Sequence, residues 1–184
     1  MGLPDAAVIA SGDPATRTAV RSAVLERFTR LIAGADSATR TLAVWCGEPP
    51  TTRIHTREEA ATLPKEALLL GLPRTTTVQR RHITHRRRDG TVLCEARATV
   101  WLDSPALPGP VVARLRRGPQ PLGELLGPVG LRRRTLGANR RYDYRRPLEH
   151  DDQDRAVLGV SAALDVAHER VALVEETYLE PVLW

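Results

Sequence analysis

The chain is poor in aromatic residues and almost free of lysine. Phenylalanine, tyrosine and tryptophan make up 4% of its 184 residues, and Lys65 is the single lysine among 27 Lys and Arg residues. So few rings cannot build a stacking platform for single-stranded nucleic acid. Nearly every cation is arginine, which is typical of codon usage in a GC-rich genome. The formal charge of +5 is therefore not taken as a sign of a phosphate-binding surface. We therefore expect no nucleic-acid partner.

Metal-ligand spacings, export signals and membrane spans are also missing. The two cysteines, Cys46 and Cys94, lie in separate apolar segments and form no metal-binding or redox motif. The N-terminus lacks the basic and then apolar pattern of a signal peptide, and no apolar run approaches the ~20 residues of a membrane span. These absences indicate a cytoplasmic protein with reduced cysteines and no metal or membrane partner.

The chain does contain enough apolar sequence for one folded unit. Hydrophobic residues make up 42% of it. At this length we expect a single domain that spans residues 1–184, with residues 1–12 loosely ordered. The expected quaternary state is a monomer or a weak homo-oligomer.

The spacing of apolar residues predicts an α+β fold with few helices. Asp13-Pro14 begins an amphipathic helix that ends at Gly34, Thr56–Glu59 is typical of a helix cap, and Val111–Arg117 is a short helix. The predicted strands are Thr41–Cys46, Thr51–His55, Thr75–Arg86, Thr91–Leu102, Arg132–Arg146, Ala156–Leu164 and Val171–Leu179, with an acidic loop at His150–Asp154. This order indicates a single antiparallel sheet of about six strands with helices packed on one face.

A hairpin near the middle of the chain carries two arginines on neighbouring strands. Asp89-Gly90 supplies the positive backbone angles of a tight turn, and the flanking strands contain Arg81 and Arg97. Folding about the turn is expected to bring both guanidinium groups to the same end of the ribbon. Two such groups without a neighbouring acid favour a pocket for a dianion.

The order of several short motifs resembles that of the chorismate lyase family, also called chorismate pyruvate-lyases or 4-hydroxybenzoate synthases. The similarity covers about residues 38–184. The motifs are Pro73–Ile83, Asp89-Gly90, Ala96-Arg97, Gly109-Pro110, Pro121-Leu122-Gly123 and Glu176-Thr177-Tyr178-Leu179. The resemblance implies a six-stranded antiparallel sheet. It also implies cleavage of chorismate to 4-hydroxybenzoate and pyruvate, a carbon–oxygen lyase reaction without metal or cofactor.

The resemblance also implies roles for five residues. Arg81 and Arg97 correspond to arginines that hold substrate carboxylates, Leu122 and Gly123 to substrate-binding positions, and Glu176 to a glutamate placed against the ring hydroxyl or the ether oxygen. A guanidinium meets a carboxylate through two parallel hydrogen bonds, and a buried carboxyl near the departing oxygen can transfer a proton. Arg81, Arg97 and Glu176 are thus the candidate catalytic residues, and the expected partner is a small carboxylate.

Some of these residues also have a purely structural interpretation. Arg81 neighbours Arg80 in an arginine-rich chain, and Gly123 suits a backbone turn. Glu175 competes with Glu176, because two adjacent residues of a strand face opposite sides of the sheet.

Two further polar segments receive structural interpretations. His82 and His85, on opposite faces of a basic strand, are expected to be exposed. The Arg132–Arg134 cluster is typical of a charged sheet edge that discourages the addition of another strand.

The sequence departs from the family pattern in two places. The arginine pair that begins the strand before the last one in family members is absent from Val157–Leu164, and the turn at Arg86–Asp89 is one residue longer. Three hypotheses follow: a chorismate lyase that supplies a secondary-metabolite pathway, an enzyme of the same fold with another substrate (for example a cyclase of a polyketide-like intermediate), or a non-enzymatic small-ligand-binding domain. The absence of a DNA-binding helical module is expected to disfavour the last.

Overall fold

A computed structural model describes residues 13–140 and 155–184. Its α-helices are α1 (Pro14–Ala33), α2 (Ala38–Cys46), α3 (Pro64–Leu70), α4 (Gly109–Arg117) and α5 (Leu122–Leu126). Its strands are β1 (Thr51–Ala61), β2 (Thr77–Arg86), β3 (Val92–Val100), β4 (Arg132–Arg140), β5 (Ala156–Val166) and β6 (Glu169–Leu179). Two 3-10 turns span Gly127–Val129 and Glu180–Leu183. The predicted loose start over residues 1–12 and the predicted acidic loop lie outside the described residues.

The six strands form one antiparallel sheet in the order β1-β2-β3-β6-β5-β4. Successive residues of each strand point to opposite faces. We call the face that carries Ala96, Ala98 and Val174 the inner face, because α1, α2, α4 and α5 pack against it. The opposite face, which carries Arg97 and Glu175, is the outer face. The predicted α+β fold with a single antiparallel sheet is confirmed.

Two apolar clusters hold the helices against the inner face. At one end, the Phe28 ring of α1 contacts Trp45 of α2 and Tyr178 of β6, with both ring centroids 5.1 Å away. At the other end, Leu115 of α4 and Leu126 of α5 are fully buried among the apolar residues of β3 and β6. Each buried side chain of this kind contributes about 1.5–3 kcal/mol. Between the two apolar clusters, the inner face carries polar side chains, among them Glu176 of β6.

The hairpin predicted about Asp89-Gly90 is present, and β5 and β6 form a second hairpin. The turn between β2 and β3 contains Gly90 with a φ of 92°, which glycine adopts without steric penalty. The turn between β5 and β6 contains Ala167 and His168 with φ of 49° and 69°. Two successive positive angles match the right-handed twist of the flanking strands.

Two local predictions were wrong. Thr41–Cys46, predicted as a strand, belongs to α2. The Ser37 hydroxyl accepts a hydrogen bond from Arg40 N at the start of this helix, and Gly47 ends it in the left-handed conformation. Signals at both helix ends therefore outweigh the apolar run between them. Thr56–Glu59, predicted as a helix cap, continues β1 because it pairs with β2 along its length.

The short helix α3 is an addition on the outer face. Its Leu70 packs against Leu173 and Ala163 of the sheet. The Glu66 side chain accepts a hydrogen bond from Leu63 N at 2.7 Å, which satisfies a backbone donor at the helix start. None of the described helices is long and apolar enough to span a membrane.

Candidate functional site

Glu176 lies near the middle of β6 on the inner face and is only 8% exposed. Its Oε2 accepts hydrogen bonds from the Tyr178 hydroxyl at 2.9 Å and from Arg133 Nη2 at 2.8 Å. Burial, followed by the Glu176 charge, raises the pKa of Tyr178 well above its usual range. The Tyr178 hydroxyl therefore stays protonated and donates to the carboxylate, which fixes the Glu176 side chain.

Arg133 reaches the same carboxylate from β4 at the sheet edge. Its side chain is 3% exposed, and Nη1 donates to Ile32 O at 3.0 Å, to Ala35 O at 3.3 Å and to Thr135 Oγ1 at 3.0 Å. The expectation that the whole Arg132–Arg134 cluster forms an exposed edge was wrong for its middle member. Strand alternation directs Arg133 inward while its two neighbours face outward.

A cavity of about 70 Å³ lies beside this ion pair, between the sheet and the segments that begin α2 and α5. Its walls contain the predicted substrate-binding residues Leu122 and Gly123, together with Glu176, Arg133 and His85. We call it the inner cavity. At ~10–15 Å³ per water molecule it has room for about five waters, which is the space of a small organic molecule.

Gly123 has an ordinary backbone conformation, and there is space beside its Cα atom. A Cβ atom placed on it would meet its nearest neighbour, Ser37 Oγ, at 4.0 Å, which is ordinary van der Waals contact. The position thus tolerates a small side chain, and such a side chain would project toward the cavity wall formed by the start of α2.

Arg81 lies on the inner face, outside the set of residues that line the inner cavity, and is buried, at 3% exposure. Its Nη2 donates to Gln120 O at 3.0 Å, and its strand neighbour Ala98 lines the cavity. Nε and Nη1 of Arg81 are buried without a hydrogen-bond partner among the described residues. Burial, followed by repulsion from Arg57, lowers the pKa of Arg81 to about 10. The guanidinium therefore remains charged at neutral pH.

Arg57 stands opposite Arg81 on β1 and adds a second positive charge. Its Nη1 donates to Arg116 O at 3.0 Å, and its Nη2 donates to Gly118 O. Arg57 and Arg81 form no ion pair with a described acidic residue. Carbonyl oxygens thus partly satisfy two guanidinium groups, but no described carboxylate neutralises them.

His85 is a buried histidine in the cavity wall, at 6% exposure. Its Nδ1 lies 3.0 Å from Thr52 Oγ1, and burial lowers its pKa to about 4. The imidazole is therefore neutral at pH 7. The expectation that His85 is exposed was wrong, because β2 is covered at this position by the inner-face packing.

Arg97 does not join the other predicted site residues. It lies opposite His82 on β2 and opposite Glu175 on β6, which places it on the outer face, and it is exposed. The expected convergence of Arg81 and Arg97 is therefore wrong, because their positions along the hairpin differ in strand parity. The structure brings Arg81, Leu122, Gly123 and Glu176 to the inner face and separates Arg97 from them. The catalytic and binding roles assigned to these residues stay predictions.

Three residues of this site were not predicted from the sequence: Arg133, His85 and Arg57. Only part of a signal was available for Arg133, since alternation along a strand points either the middle one or the two outer ones of three consecutive arginines inward. For Arg57 no such signal existed, because the segment was predicted to be helical. No group of three or more potential metal ligands occurs among the described residues.

Solved structures with a similar fold are known, and one of them superposes on this chain with a TM-score above 0.5. PhnF from Mycobacterium smegmatis superposes with a TM-score of 0.56 at 14% identity, over 80% of this chain and 65% of that one. A GntR-family transcriptional regulator from Enterococcus faecalis V583 gives a TM-score of 0.46 at 14% identity, over 71% and 94% of the two chains.

A third similar structure is the C-terminal domain of the histidine utilization repressor from Pseudomonas syringae pv. tomato, with a TM-score of 0.49 at 14% identity, over 72% of this chain and 92% of that one. No family model matches the sequence, and no curated protein matches it significantly. At 14% identity the likeness to PhnF concerns the fold alone, and the function has to be argued from the site.

Proposed function

We propose that the inner cavity binds a small organic acid and that the domain acts through this binding. The observation that supports this is the facing pair Arg57 and Arg81, whose described partners are backbone carbonyl oxygens. A buried charge without its counter-charge typically costs about 3–5 kcal/mol. An incoming carboxylate offsets this cost through charge-assisted hydrogen bonds to the unpaired nitrogens of Arg81.

The positions of Arg81 and Glu176 suggest how such an acid lies. The two residues are two strands and two residues apart on one face, which puts their Cα atoms about 12 Å from each other. A ligand placed between them presents its carboxylate to Arg81 and a hydroxyl to the Glu176 carboxylate. Leu122 and Val174, which line the cavity, then contact its apolar body.

Cleavage of chorismate is the second candidate, and the Glu176 carboxyl in the cavity wall favours it. Two features rank it below simple binding. The cavity of about 70 Å³ is small for a ring with two carboxylates and an enol ether. In addition, Oε2 of Glu176 already accepts hydrogen bonds from Arg133 and Tyr178, which compete with proton transfer.

Calorimetric titration with benzoate, 4-hydroxybenzoate and methyl benzoate tests the proposal. We expect both acids to bind, 4-hydroxybenzoate more tightly, and the neutral ester to bind at least tenfold more weakly than benzoate, since a hydrogen bond to a charged group contributes about 1.5–3 kcal/mol. Arg81→Gln should remove the preference for the acids. Arg117→Gln, at an exposed arginine of α4, is the matched control and should keep it.

Incubation with chorismate and measurement of pyruvate separates the two candidates. Acid binding without pyruvate supports a binding domain, and pyruvate formation that depends on Glu176 supports the lyase. If the ester binds as well as benzoate and no pyruvate forms, both candidates are wrong.

A further inference from the structure

The outer face carries a second and larger cavity, a cleft of about 500 Å³ between α3 and strands β1, β2, β3 and β6. We call it the outer cleft. Its size lies within the range of about 300–1,000 Å³ that is usual for small-molecule sites. Arg81 and Ala98 border it from the strand floor, although their side chains belong to the inner face. Arg81 is the one residue that this cleft shares with the pair of arginines proposed above to bind an acid.

A row of polar residues crosses the floor of the outer cleft on neighbouring strands. His82, Arg97 and Glu175 stand directly opposite one another on β2, β3 and β6. Opposed side chains in a sheet have Cβ atoms about 4.5–5.5 Å apart, so Arg97 and Glu175 are close enough to pair. They do not, because the Glu175 carboxylate contacts Lys65 Nζ of α3 at 3.2 Å instead.

The Arg97 guanidinium is consequently left open. Among the described residues it forms no ion pair, and Nε2 of its neighbour His82 is buried without a hydrogen-bond partner. Lys65 and Glu175 are 74% and 61% exposed, and so exposed a pair contributes little. A ligand can therefore displace Lys65 from Glu175 at low cost.

The other charges of the cleft decide which ligand fits. Arg80 and Glu66 neutralise each other through hydrogen bonds of 3.1 and 2.7 Å, and the Thr99 hydroxyl donates to the same carboxylate at 2.9 Å. Burial raises the pKa of Glu66, but the hydrogen bonds outweigh it and the pKa is lowered overall, so Glu66 stays charged. Glu58 adds a negative charge on the edge strand β1, opposite Arg80. Arg97 and Glu175, one of each sign and side by side, are the adjacent pair of charges that a ligand can meet.

We propose that the outer cleft binds an α-amino acid with an apolar side chain. The ligand carboxylate pairs with Arg97 and the ammonium group with Glu175. Both ligand groups are attached to one α-carbon and are therefore close together, as Arg97 and Glu175 are on adjacent strands. The apolar side chain packs against Leu69 and Leu173, which line the same cleft. A simple anion would meet Glu175 unfavourably, and a simple cation would meet Arg97.

Calorimetric titration of the full chain with L-leucine tests this proposal. We expect L-leucine to bind. Two analogues, 4-methylpentanoate without the ammonium group and 3-methylbutylamine without the carboxylate, should each bind at least about tenfold more weakly. Arg97→Gln and Glu175→Gln should each weaken L-leucine binding by a similar factor. Arg117→Gln, on a helix of the inner face, should leave it unchanged.

Competition keeps the two sites distinguishable. Saturating benzoate, a probe of the inner cavity, should not displace L-leucine from the outer cleft. Equal binding of L-leucine and 4-methylpentanoate would overturn the proposal, as would the absence of L-leucine binding to the unmodified chain or its displacement by benzoate. Because the analogue series uses the unmodified chain, the test holds even if one variant fails to fold.

Discussion

Glu175 and Glu176 are adjacent in β6, yet their ion pairs lie in opposite environments. On the inner face, Glu176 and Arg133 are 2.8 Å apart with side chains 8% and 3% exposed. On the outer face, Glu175 and Lys65 are 3.2 Å apart but 61% and 74% exposed. Similar geometry therefore has different consequences, because water screens the outer pair and not the inner one. The charged contact on the inner face is therefore fixed by burial, whereas a ligand in solution can replace the contact on the outer face.

Removing the cation of each pair should show the largest difference between the faces. Arg133→Ala leaves the buried Glu176 carboxylate without its counter-charge and should lower the free energy of unfolding by about 3–5 kcal/mol. Lys65→Ala should lower it by less than about 1 kcal/mol. Urea unfolding at pH 7 measures both changes.

A double variant sharpens this result. Replacing both partners, Arg133→Met with Glu176→Met, removes both charges together and should recover much of the loss seen for Arg133→Ala, since an apolar pair of similar volume often matches a buried ion pair. Equal losses for Arg133→Ala and Lys65→Ala would mean that the inner pair is hydrated and that the contrast between the faces does not exist.

Acid should lower the free energy of unfolding because His85 is buried in its neutral form. The pKa of His85 is about 4 in the folded chain and about 6.5 when unfolded, so the unfolded chain binds the extra proton between these values. The His85 contribution is fully present above pH 6.5 and is lost as the pH falls toward 4. It amounts to roughly 3 kcal/mol.

Urea unfolding at pH 7 and pH 4.5 measures this loss. His85→Gln should show a smaller loss between the two pH values than the unmodified chain. His168→Asn, at the exposed turn between β5 and β6, should behave like the unmodified chain. If His85→Gln keeps the full pH dependence, the acid sensitivity belongs to carboxylates elsewhere.

The sheet and its hairpins could be predicted because local signals specify them. Asp89-Gly90 defines one turn, and alternating apolar residues define the strands beside it. The face on which a residue lies depends on register, and one bulge is enough to change it. β1 has such an irregularity between Ile54 and Thr56, and it was predicted to be partly helical, so its inward-facing Arg57 was not foreseen.

The site could be predicted only where the family resemblance marked a residue on an inner-face position. Glu176 and Leu122 lie in the cavity wall, while Arg97 does not. The register of the β2–β3 ladder, which has its own irregularity between His85 and Arg86, excludes the expected convergence of Arg81 and Arg97. Arg81 is opposite Ala98 in the ladder, and adjacent residues such as Arg97 and Ala98 face opposite sides of the sheet. Arg133 comes to Glu176 from the far edge of the sheet, and no local pattern reports such a long-range contact.

The hydroxyl of Tyr178 should contribute less than the charges. Tyr178→Phe keeps the ring packing with Phe28 and removes the hydrogen bond to Glu176 Oε2, so we expect a loss of about 1–2 kcal/mol. The loss should nearly vanish in the Glu176→Met background, where the acceptor is absent. A loss of the same size in both backgrounds would show that the ring environment, not the hydrogen bond, is responsible.

Arg97→Ala should have the smallest effect on the inner face. Its side chain is exposed and forms no described ion pair, so the free energy of unfolding should change by less than about 0.5 kcal/mol. Binding of 4-hydroxybenzoate to the inner cavity should also be unchanged, whereas Arg81→Ala should weaken it about tenfold or more. Titration of the two variants side by side measures this. If Arg97→Ala weakened acid binding as much as Arg81→Ala, the acid would be bound on the outer face, and the assignment of acid binding to the inner cavity would have to be withdrawn.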